Sequence, residues 1–501
     1  MPWHASTGII FLVKEDLNQK LGQLFFVGFQ GYTLSKKTKQ FLQTTQPGGI
    51  VFFENNIKSK KQVKQSIREI NSCLKIKPFI AVDQEGGSVE RLRSICTSLP
   101  SAWGLSKVGL KELLMAQNII SSELLELGFN MNFAPVLDIN SNTGNPIIGT
   151  RSISNKPEIV AKYGSSIVSL FLKNKIIPVV KHFPGHGALN IDSHLALPAL
   201  NKSKNELNGF ELLPFKEAIK NKAPVVMVGH IQLPQIEKDK KKPASLSNKI
   251  ISGLLRNELG FKGLIITDEL NMKGITENYS LLNASYEAIL AGADLLLFNF
   301  EERSTLKTFT YIKECVSKDK KLLKRINESY KRIILVKDKF LRNKSRSALK
   351  HLSAHKLASR VVHWLKKDLF YKPINKNERL EIIYPITPKL KSDDLKTIAR
   401  KLGIKKYKLH EYNLNPSEND IERILERLNG KKRKILITYD IAARIGQKKL
   451  ANLLLNKDPD LIVISVGLEY DYELVGEVKS FIAAYAPNFI SLFSAFKLLL
   501  I

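Results

Sequence analysis

Short apolar runs alternate with amphipathic helical patterns along the first 300 residues, and this alternation constrains the fold more than any other feature. The runs lie at residues 49–53, 78–82, 129–136, 176–180, 225–228, 264–267 and 294–298. Each run is continuously apolar instead of alternating with polar residues, which indicates parallel strands that are buried on both faces. Between them, apolar residues recur at helical spacing, for example over 58–74, 106–127 and 157–174.

Seven or eight strand–helix units of this kind in about 300 residues predict an α/β fold, a closed (β/α)8 TIM-like barrel. The segment 19–31 looks like a helix that runs into a further apolar segment. An open doubly wound sheet is the alternative, and it would carry a glycine-rich dinucleotide turn after its first strand. Here Gly48 and Gly49 precede the strand instead, which disfavours the open sheet.

The character of the sequence changes after about residue 345. We predict a barrel domain at 1–345, a helical linker at 346–372 and a smaller C-terminal α/β domain at 373–501. Strands of the second domain are expected near 380–384, 434–438, 461–466 and 481–486. This domain has no dense cluster of polar residues, so we interpret it as mainly supporting.

The chain is strongly basic, with a formal net charge of +31 over 501 residues. Its lysines form short scattered clusters without the aromatic residues of RNA-binding signatures, so we predict solvated basic surfaces and no nucleic-acid partner. Three scattered cysteines, Cys73, Cys96 and Cys315, fit neither a disulfide framework nor a metal motif. They indicate a reducing compartment.

The N-terminal region gives little sign of export. The apolar run at 8–13 has no basic region before it and is followed by Glu15 and Asp16, which makes a poor signal peptide. No stretch is long enough to span a membrane. We therefore predict a cytoplasmic monomer without a membrane span, and export stays open if the true start of the chain lies upstream.

Charged residues cluster just after the apolar runs. Those that follow a predicted strand are Asp83, Arg91, Asp138, Arg151, Lys181, His182, His230 and Asp268. A charged side chain at the end of a buried strand is costly unless it is paired or used. Because the active sites of (β/α)8 barrels lie at the C-terminal ends of the strands, these residues predict one shared site.

The densest part of this set is the segment 181–198. It places five titratable residues within fourteen positions, namely Lys181, His182, His186, Asp192 and His194. The intervening Pro184, Gly185 and Gly187 forbid a regular helix. A loop of this kind at the end of a rigid strand is a common carrier of functional groups.

Two familiar chemistries fit this loop poorly. His182 and His186 have the spacing of a zinc-protease pair, but that pair needs a helix and a glutamate where Phe183 stands. Ser193 lies beside a histidine without a Gly-x-Ser-x-Gly turn. We predict neither a metal nor a cofactor.

Glycosyl transfer to water fits the residues better. It needs a carboxylate nucleophile, a proton donor on the other side of the bond and polar groups for the sugar hydroxyls. Asp268 can supply the carboxylate, and the Asp192-x-His194 sequence can supply the donor if histidine replaces the usual carboxylic acid. The hydroxyl-binding groups would be Asp83, Arg91, Arg151, Lys181 and His182.

The quoted motifs resemble a known family. The run Lys-His-Phe-Pro-Gly-His-Gly at 181–187, followed by Asp192-Ser193-His194, resembles the β-N-acetylglucosaminidase (NagZ-like) branch of glycoside hydrolase family 3, in its two-domain form. Further similar motifs occur in order at 83–92, 132–138, 149–152 and 266–272. The β-glucosidase branch lacks the Asp-x-His loop and uses a glutamate from its second domain.

The resemblance implies a mechanism that retains the anomeric configuration. Asp268 would form a covalent glycosyl-enzyme, and His194, held by Asp192, would act first as acid and then as base. The resemblance also implies that Asp83, Arg91, Arg151, Lys181 and His182 bind the N-acetylglucosamine ring.

The resulting hypothesis is an exo-acting hydrolase that removes terminal N-acetylglucosamine from muropeptides or other wall-derived amino sugars. A phosphorolytic N-acetylglucosaminidase or a β-glucosidase of the same family is the first alternative. A non-catalytic basic protein that binds wall polymer or nucleic acid is the second.

Overall fold

Eight parallel strands close into a barrel in the first two thirds of the chain. The computed structural model describes residues 16–191, 196–299, 301–341, 353–428 and 432–501. The barrel strands are β1 (Phe25–Val27), β2 (Gly49–Phe52), β3 (Phe79–Val82), β6 (Met131–Asn132), β7 (Ile177–Phe183), β8 (Val225–Val228), β9 (Leu264–Glu269) and β10 (Leu295–Phe298). A small hairpin follows β3, formed by β4 (Gln84–Gly86) and β5 (Val89–Glu90). The predicted (β/α)8 barrel is confirmed.

Helices surround this barrel and bury their apolar faces against it. They are α1 (Leu17–Gly22), α2 (Lys36–Thr45), α3 (Lys60–Cys73), α4 (Ala102–Val108), α5 (Leu110–Leu127), α6 (Pro157–Lys173), α7 (Lys204–Gly209), α8 (Leu213–Lys220), α9 (Lys273–Thr276), α10 (Leu281–Ala291), α11 (Glu302–Val316) and α12 (Lys320–Leu341), with a π-helix at Lys249–Glu258. Among the described residues, no helix is long and apolar enough to cross a membrane.

The strand expected over 129–136 is the clearest local difference from the sequence-based prediction. Its regular pairing is limited to Met131–Asn132, because Pro135 has no amide hydrogen to donate to the neighbouring strand. The backbone still continues along β7, where the amide of Val179 donates to the carbonyl of Ala134 at 3.1 Å. The chain thus keeps its direction towards Asp138.

A six-stranded sheet forms the core of the C-terminal domain. Its strands are β11 (His363–Lys366), β12 (Arg379–Pro385), β13 (Lys406–Tyr412), β14 (Arg433–Thr438), β15 (Ile462–Ser465) and β16 (Ser480–Ala483), in the order β11-β16-β15-β14-β12-β13. Its helices are α13 (Ala354–Val361), α14 (Ser392–Leu402), α15 (Glu418–Arg427), α16 (Ile445–Lys457), α17 (Asp471–Leu474) and α18 (Phe489–Leu498). A smaller C-terminal α/β domain is confirmed.

The segment expected to be a helical linker, 346–372, contains more than a helix. After α13, strand β11 pairs antiparallel with β16 at the edge of the second sheet. The sequence did not reveal β11, because its pattern of exposed and half-buried residues is typical of an edge strand and lacks a continuous apolar run. Edge strand β13 was missed for the same reason.

The second domain packs on the barrel beside the hairpin that follows β3. The side-chain amide of Asn488 donates to the carbonyl oxygens of Leu99 at 2.7 Å and Gly87 at 3.4 Å. From the barrel side, Arg93 donates to the carbonyl of Pro388 at 2.8 Å. The Asn488 contacts hold the start of α18, and the Arg93 contact holds the loop after β12 at the mouth of the barrel.

Asp294, at the start of β10, is a buried anchor of the barrel. It is fully buried and accepts hydrogen bonds from the amide of Ile265 at 3.0 Å and the hydroxyl of Ser329 at 2.9 Å. Three guanidinium groups surround its carboxylate, those of Arg256, Arg325 and Arg332. One carboxylate therefore ties β9, β10, α12 and the π-helix together.

We expect Asp294→Ala to lower the free energy of unfolding by about 3–5 kcal/mol, because it leaves buried cations without their anion. Urea denaturation at neutral pH measures this change. The matched control is Asp393→Ala, since the Asp393 side chain is 86% exposed beside Lys396 and its removal should leave the unfolding midpoint unchanged. Equal effects of the two substitutions would contradict the anchoring role.

Candidate active site

A cavity of about 290 Å³ opens at the C-terminal ends of the barrel strands. Six of the residues predicted from the sequence line it, namely Asp83, Arg91, Arg151, Lys181, His182 and Asp268. Asp192 and His194, the predicted acid/base pair, lie outside the described residues. Six of the eight predicted strand-end residues thus meet in one cavity, as the barrel geometry requires.

Glu85 is buried behind the wall of this cavity, at the centre of a charge network. Its two carboxylate oxygens accept from Nε and Nη2 of Arg151 at 2.9 and 2.8 Å, which makes a bidentate pair. Its Oε1 also lies 2.7 Å from Nζ of Lys181, and that ammonium lies 2.6 Å from Oδ1 of Asp83. The floor of the cavity is therefore a compact array of two anions and two cations.

Mutual pairing keeps this array charged in spite of its burial. Burial alone would raise the pKa of the Glu85 carboxyl, but Arg151 and Lys181 outweigh it and hold that pKa well below its usual range. Burial would lower the pKa of Lys181, whose side chain is 2% exposed, and Asp83 and Glu85 raise it instead. Both groups are ionised at neutral pH, which suits them to fixed hydrogen bonds with sugar hydroxyls.

Asp138 positions two histidines of the loop after β7. Its carboxylate lies 2.7 Å from Nδ1 of His182 and accepts from the backbone amide of His186 at 2.6 Å. Burial would raise the pKa of Asp138, but His182 and His186 lower it. The interaction at Nδ1 leaves Nε2 of His182 available to the cavity. Asp138, one of the predicted strand-end residues, acts here as a positioning residue.

His186 lines the cavity but is not suited to donate a proton. Its side chain is buried, and this burial lowers its pKa to about 4. The ring is therefore neutral at neutral pH. The general acid expected from the sequence, His194, is a different residue of the same loop.

Asp268 is the penultimate residue of β9 and carries its partly exposed carboxylate into the cavity. Its Oδ1 accepts from the amide of Glu269 at 2.8 Å. The end of β9 is fixed from behind by His230, whose Nε2 lies 2.9 Å from the carbonyl of Glu269 and whose Nδ1 lies 2.7 Å from the hydroxyl of Ser245. His230 thus supports the strand that carries Asp268.

Three residues of the site were missed by the sequence analysis. Glu85 had a usable signal, because it follows the buried strand β3 closely, as Asp83 does. Lys389 and Tyr439 come from the second domain, about 300 and 350 positions beyond the first strands, and nothing in their sequence surroundings marks them. Only the docking of the two domains brings them to the barrel mouth.

The two histidines with zinc-protease spacing lie on β7 and on the loop after it, and not on a helix. Nδ1 of His182 is engaged by Asp138. Within the described ranges, no group of three or more histidine, cysteine or acidic side chains has an arrangement that could hold a metal ion.

Comparison with known proteins assigns the family. The profile of the glycosyl hydrolase family 3 N-terminal domain matches residues 16–336, which is more than half of the chain. The chain belongs to glycoside hydrolase family 3. Within the family, its similarity is to proteins named β-hexosaminidase and β-N-acetylglucosaminidase.

Two relatives show the extent of the similarity in sequence. β-Hexosaminidase A of Pseudoalteromonas piscicida is 32% identical over 335 residues, which cover 59% of this chain and 56% of that protein. A β-hexosaminidase of Alkalilimnicola ehrlichii is 33% identical over 284 residues, or 55% of this chain and 80% of that protein. The chain thus spans little more than half the length of the first relative.

A solved structure matches both domains. It is a family 3 β-N-acetylglucosaminidase from Paenibacillus sp. FPU-7, with a TM-score of 0.86 and 30% identity. The superposition covers 97% of this chain and 96% of that one. The two-domain arrangement is therefore shared with this family 3 member.

We expect Glu85→Gln to lower the free energy of unfolding at neutral pH by about 3–5 kcal/mol, because Arg151 and Lys181 lose their shared buried anion. The pH dependence should change as well. A carboxyl whose pKa is depressed on folding stabilises the protein above its unfolded pKa of about 4.3, and this contribution is lost as the pH falls below that value. The parent should therefore lose more stability than Glu85→Gln between about pH 5 and pH 3.

Urea denaturation at several pH values measures both effects. Glu422→Gln is the matched control, since Glu422 is exposed on α15 and should follow the parent at every pH. Parallel pH profiles for the parent and Glu85→Gln would show that Glu85 is not the ionised centre of the network.

Proposed function

We propose that the chain is an exo-acting, retaining β-N-acetylglucosaminidase that removes terminal N-acetylglucosamine from peptidoglycan-derived amino sugars. One observation carries this proposal, namely that the carboxylate of Asp268 faces the paired charges of Asp83 and Lys181 across a single cavity. A nucleophile on one side and fixed hydroxyl-binding groups on the other are what glycosyl transfer requires. The names of the similar proteins support the same substrate class.

The size of the cavity supports exo-action. Its volume of about 290 Å³ lies at the lower end of the range for ligand pockets, which suits one sugar ring. The hairpin β4–β5 and the second domain stand at the rim. The chain of the substrate would leave the cavity on one side, past Asp268.

Asp268 is the proposed nucleophile. It would attack the anomeric carbon of the bound sugar and form a glycosyl ester, with departure of the aglycone oxygen. The amide of Glu269, 2.8 Å from Oδ1, orients the carboxylate. Hydrolysis of the ester by water would then give a product with the original anomeric configuration.

His194 is the proposed acid and base, with Asp192 as its partner. An imidazole with a pKa of about 6.5 can give a proton to the leaving oxygen and take one from water near neutral pH. A neighbouring carboxylate would raise the proton affinity of the ring. Both residues follow β7 in the sequence, and Lys181 and His182 of that strand line the cavity.

Asp83, Arg91, Arg151, Lys181 and His182 are the proposed sugar-binding residues. Their support is that all five line the cavity and that the charged ones present fixed donors and acceptors. Arg151 and Lys181 hold each other's orientation through Glu85. Such preorganisation lets the site strengthen its hydrogen bonds as the sugar ring distorts towards the transition state.

The wall-derived substrate, a cytoplasmic location and a monomeric state complete the proposal. The three cysteines, Cys73, Cys96 and Cys315, are free thiols in the structure, which fits a reducing compartment.

We expect the parent chain to release p-nitrophenol from p-nitrophenyl β-N-acetylglucosaminide, with the β-anomer of N-acetylglucosamine as the first product by NMR. Asp268→Asn should lower kcat by roughly 10³-fold or more, because no covalent intermediate can form. Asp393→Asn, an exposed carboxylate on α14, is the matched control. An inverted α-anomer, or an active Asp268→Asn, would contradict the nucleophile assignment.

The same assay separates the alternatives. Phosphorolysis would raise the rate in phosphate buffer and yield N-acetylglucosamine 1-phosphate, whereas hydrolysis would give the free sugar in either buffer. A β-glucosidase would prefer p-nitrophenyl β-glucoside. If neither glycoside nor a muropeptide disaccharide is turned over, the barrel would be interpreted as a binding scaffold.

We expect His194→Ala to lower kcat by about 10²–10⁴-fold and to flatten the pH profile of kcat near neutrality. Azide should restore turnover of this variant, because it attacks the glycosyl-enzyme without a general base, and the product should be the β-glycosyl azide. His355→Ala, a change at an exposed histidine, should behave like the parent. If azide does not restore turnover of His194→Ala, the role of His194 as base is contradicted.

A further inference from the structure

Lys389 reaches the cavity from a loop of the second domain that both domains hold in place. The loop follows β12, and the hydroxyl of Thr387 accepts from the amides of Lys389 and Leu390 at 3.2 and 2.9 Å. Arg93 of the barrel donates to the carbonyls of Pro388 at 2.8 Å and Lys389 at 3.4 Å. Contacts from both domains therefore fix the loop that carries Lys389.

Two cations of the cavity have no anion of their own. Across the described ranges, neither the ammonium of Lys389 nor the guanidinium of Arg91 has a hydrogen bond or an ion pair, and Nε of Arg91 is buried without a partner. Arg151 and Lys181 differ from them, since both are paired with Glu85. The charges of the cavity floor are thus balanced, and those of Arg91 and Lys389 are not.

Keeping Lys389 at this position is unfavourable for the empty protein. Its burial, together with the charges of Arg151 and Arg91, lowers its pKa to about 8. A half-buried cation that lacks a partner and stands beside other cations costs folding free energy. A cost of this kind in a cleft is typical of a group that serves a ligand.

The surroundings of Lys389 place it away from the bond that is cleaved. The loop that carries Lys389 is held by Arg93, which follows β3 and its hairpin. In the closed barrel β3 lies four strands from β9, the strand of Asp268, in either direction. Lys389 therefore stands across the barrel mouth from Asp268, and a substituent that meets it would lie away from the anomeric carbon.

We propose that Lys389 and Arg91 form an oxyanion subsite that binds an anionic substituent, such as phosphate, sulfate or carboxylate, on the terminal sugar at the end away from Asp268. A guanidinium and an ammonium at one wall can supply several charge-assisted hydrogen bonds to such a group. The second domain then selects the substrate as well as supporting the barrel. This inference rests on the proposed N-acetylglucosaminidase function.

Calorimetric titration of the full chain with N-acetylglucosamine and with its 6-phosphate tests the subsite. The phosphate sits on carbon 6, away from the anomeric carbon. We expect the phosphate ester to bind about tenfold more tightly than unmodified N-acetylglucosamine, because it gains one charge-assisted contact. In Lys389→Met this preference should shrink to about twofold, and the affinity for unmodified N-acetylglucosamine should change little.

Two further variants keep the result interpretable. Lys408→Met removes an exposed lysine on β13 and should keep the full preference. Lys389→Arg should keep most of it, because the charge remains, and circular dichroism melting shows whether each variant is folded.

The outcomes are distinct for the two proposals. Equal affinity for the two sugars, or an unchanged preference in Lys389→Met, overturns the subsite alone. Equal weakening of both sugars in Lys389→Met also overturns it, because Lys389 would then bind hydroxyls. Weaker binding of the 6-phosphate than of N-acetylglucosamine likewise overturns the subsite alone, whereas failure of both sugars to bind overturns the proposed function together with the subsite.

Discussion

The shared carboxylate of Glu85 is the interaction on which the candidate site depends. It lies between Arg151 and Lys181 at 2.8 and 2.7 Å, at a depth where each of these charges would be costly alone. Glu85 comes from the hairpin after β3, Lys181 from β7, and Arg151 from the turn after the long loop that follows β6. One ionic network thus fixes three segments that differ widely in sequence position.

Two further residues, Asp138 and His230, position other groups of the site around this network. Asp138 orders the loop after β7 through His182 and the amide of His186, and His230 steadies the end of β9 behind Asp268. Neither group needs to touch a substrate to matter, because a nucleophile or a hydroxyl donor works only when its orientation is already set. The barrel core below supplies the rigidity that makes this possible.

Much of the fold and part of the site could be predicted from the sequence. The continuous apolar strands and the charged residues that follow them indicated a barrel with one face of polar strand ends, and six of the named residues do line one cavity. Prediction failed where periodicity carries no information. Edge strands β11 and β13 have mixed exposure. The regular pairing of β6 is limited to Met131–Asn132, because Pro135 has no amide hydrogen to donate to the neighbouring strand.

The sequence by itself determined the family, the barrel and the residue types of the site, because strand periodicity and short motifs are local properties of the chain. Only the tertiary structure decided which charges are paired and which are left over. Glu85 is the partner of Arg151, 66 positions away, and Lys389 enters the cavity from another domain. Charge balance in a cavity is a property of distances in space, and these arise only when the barrel closes and the second domain docks on it.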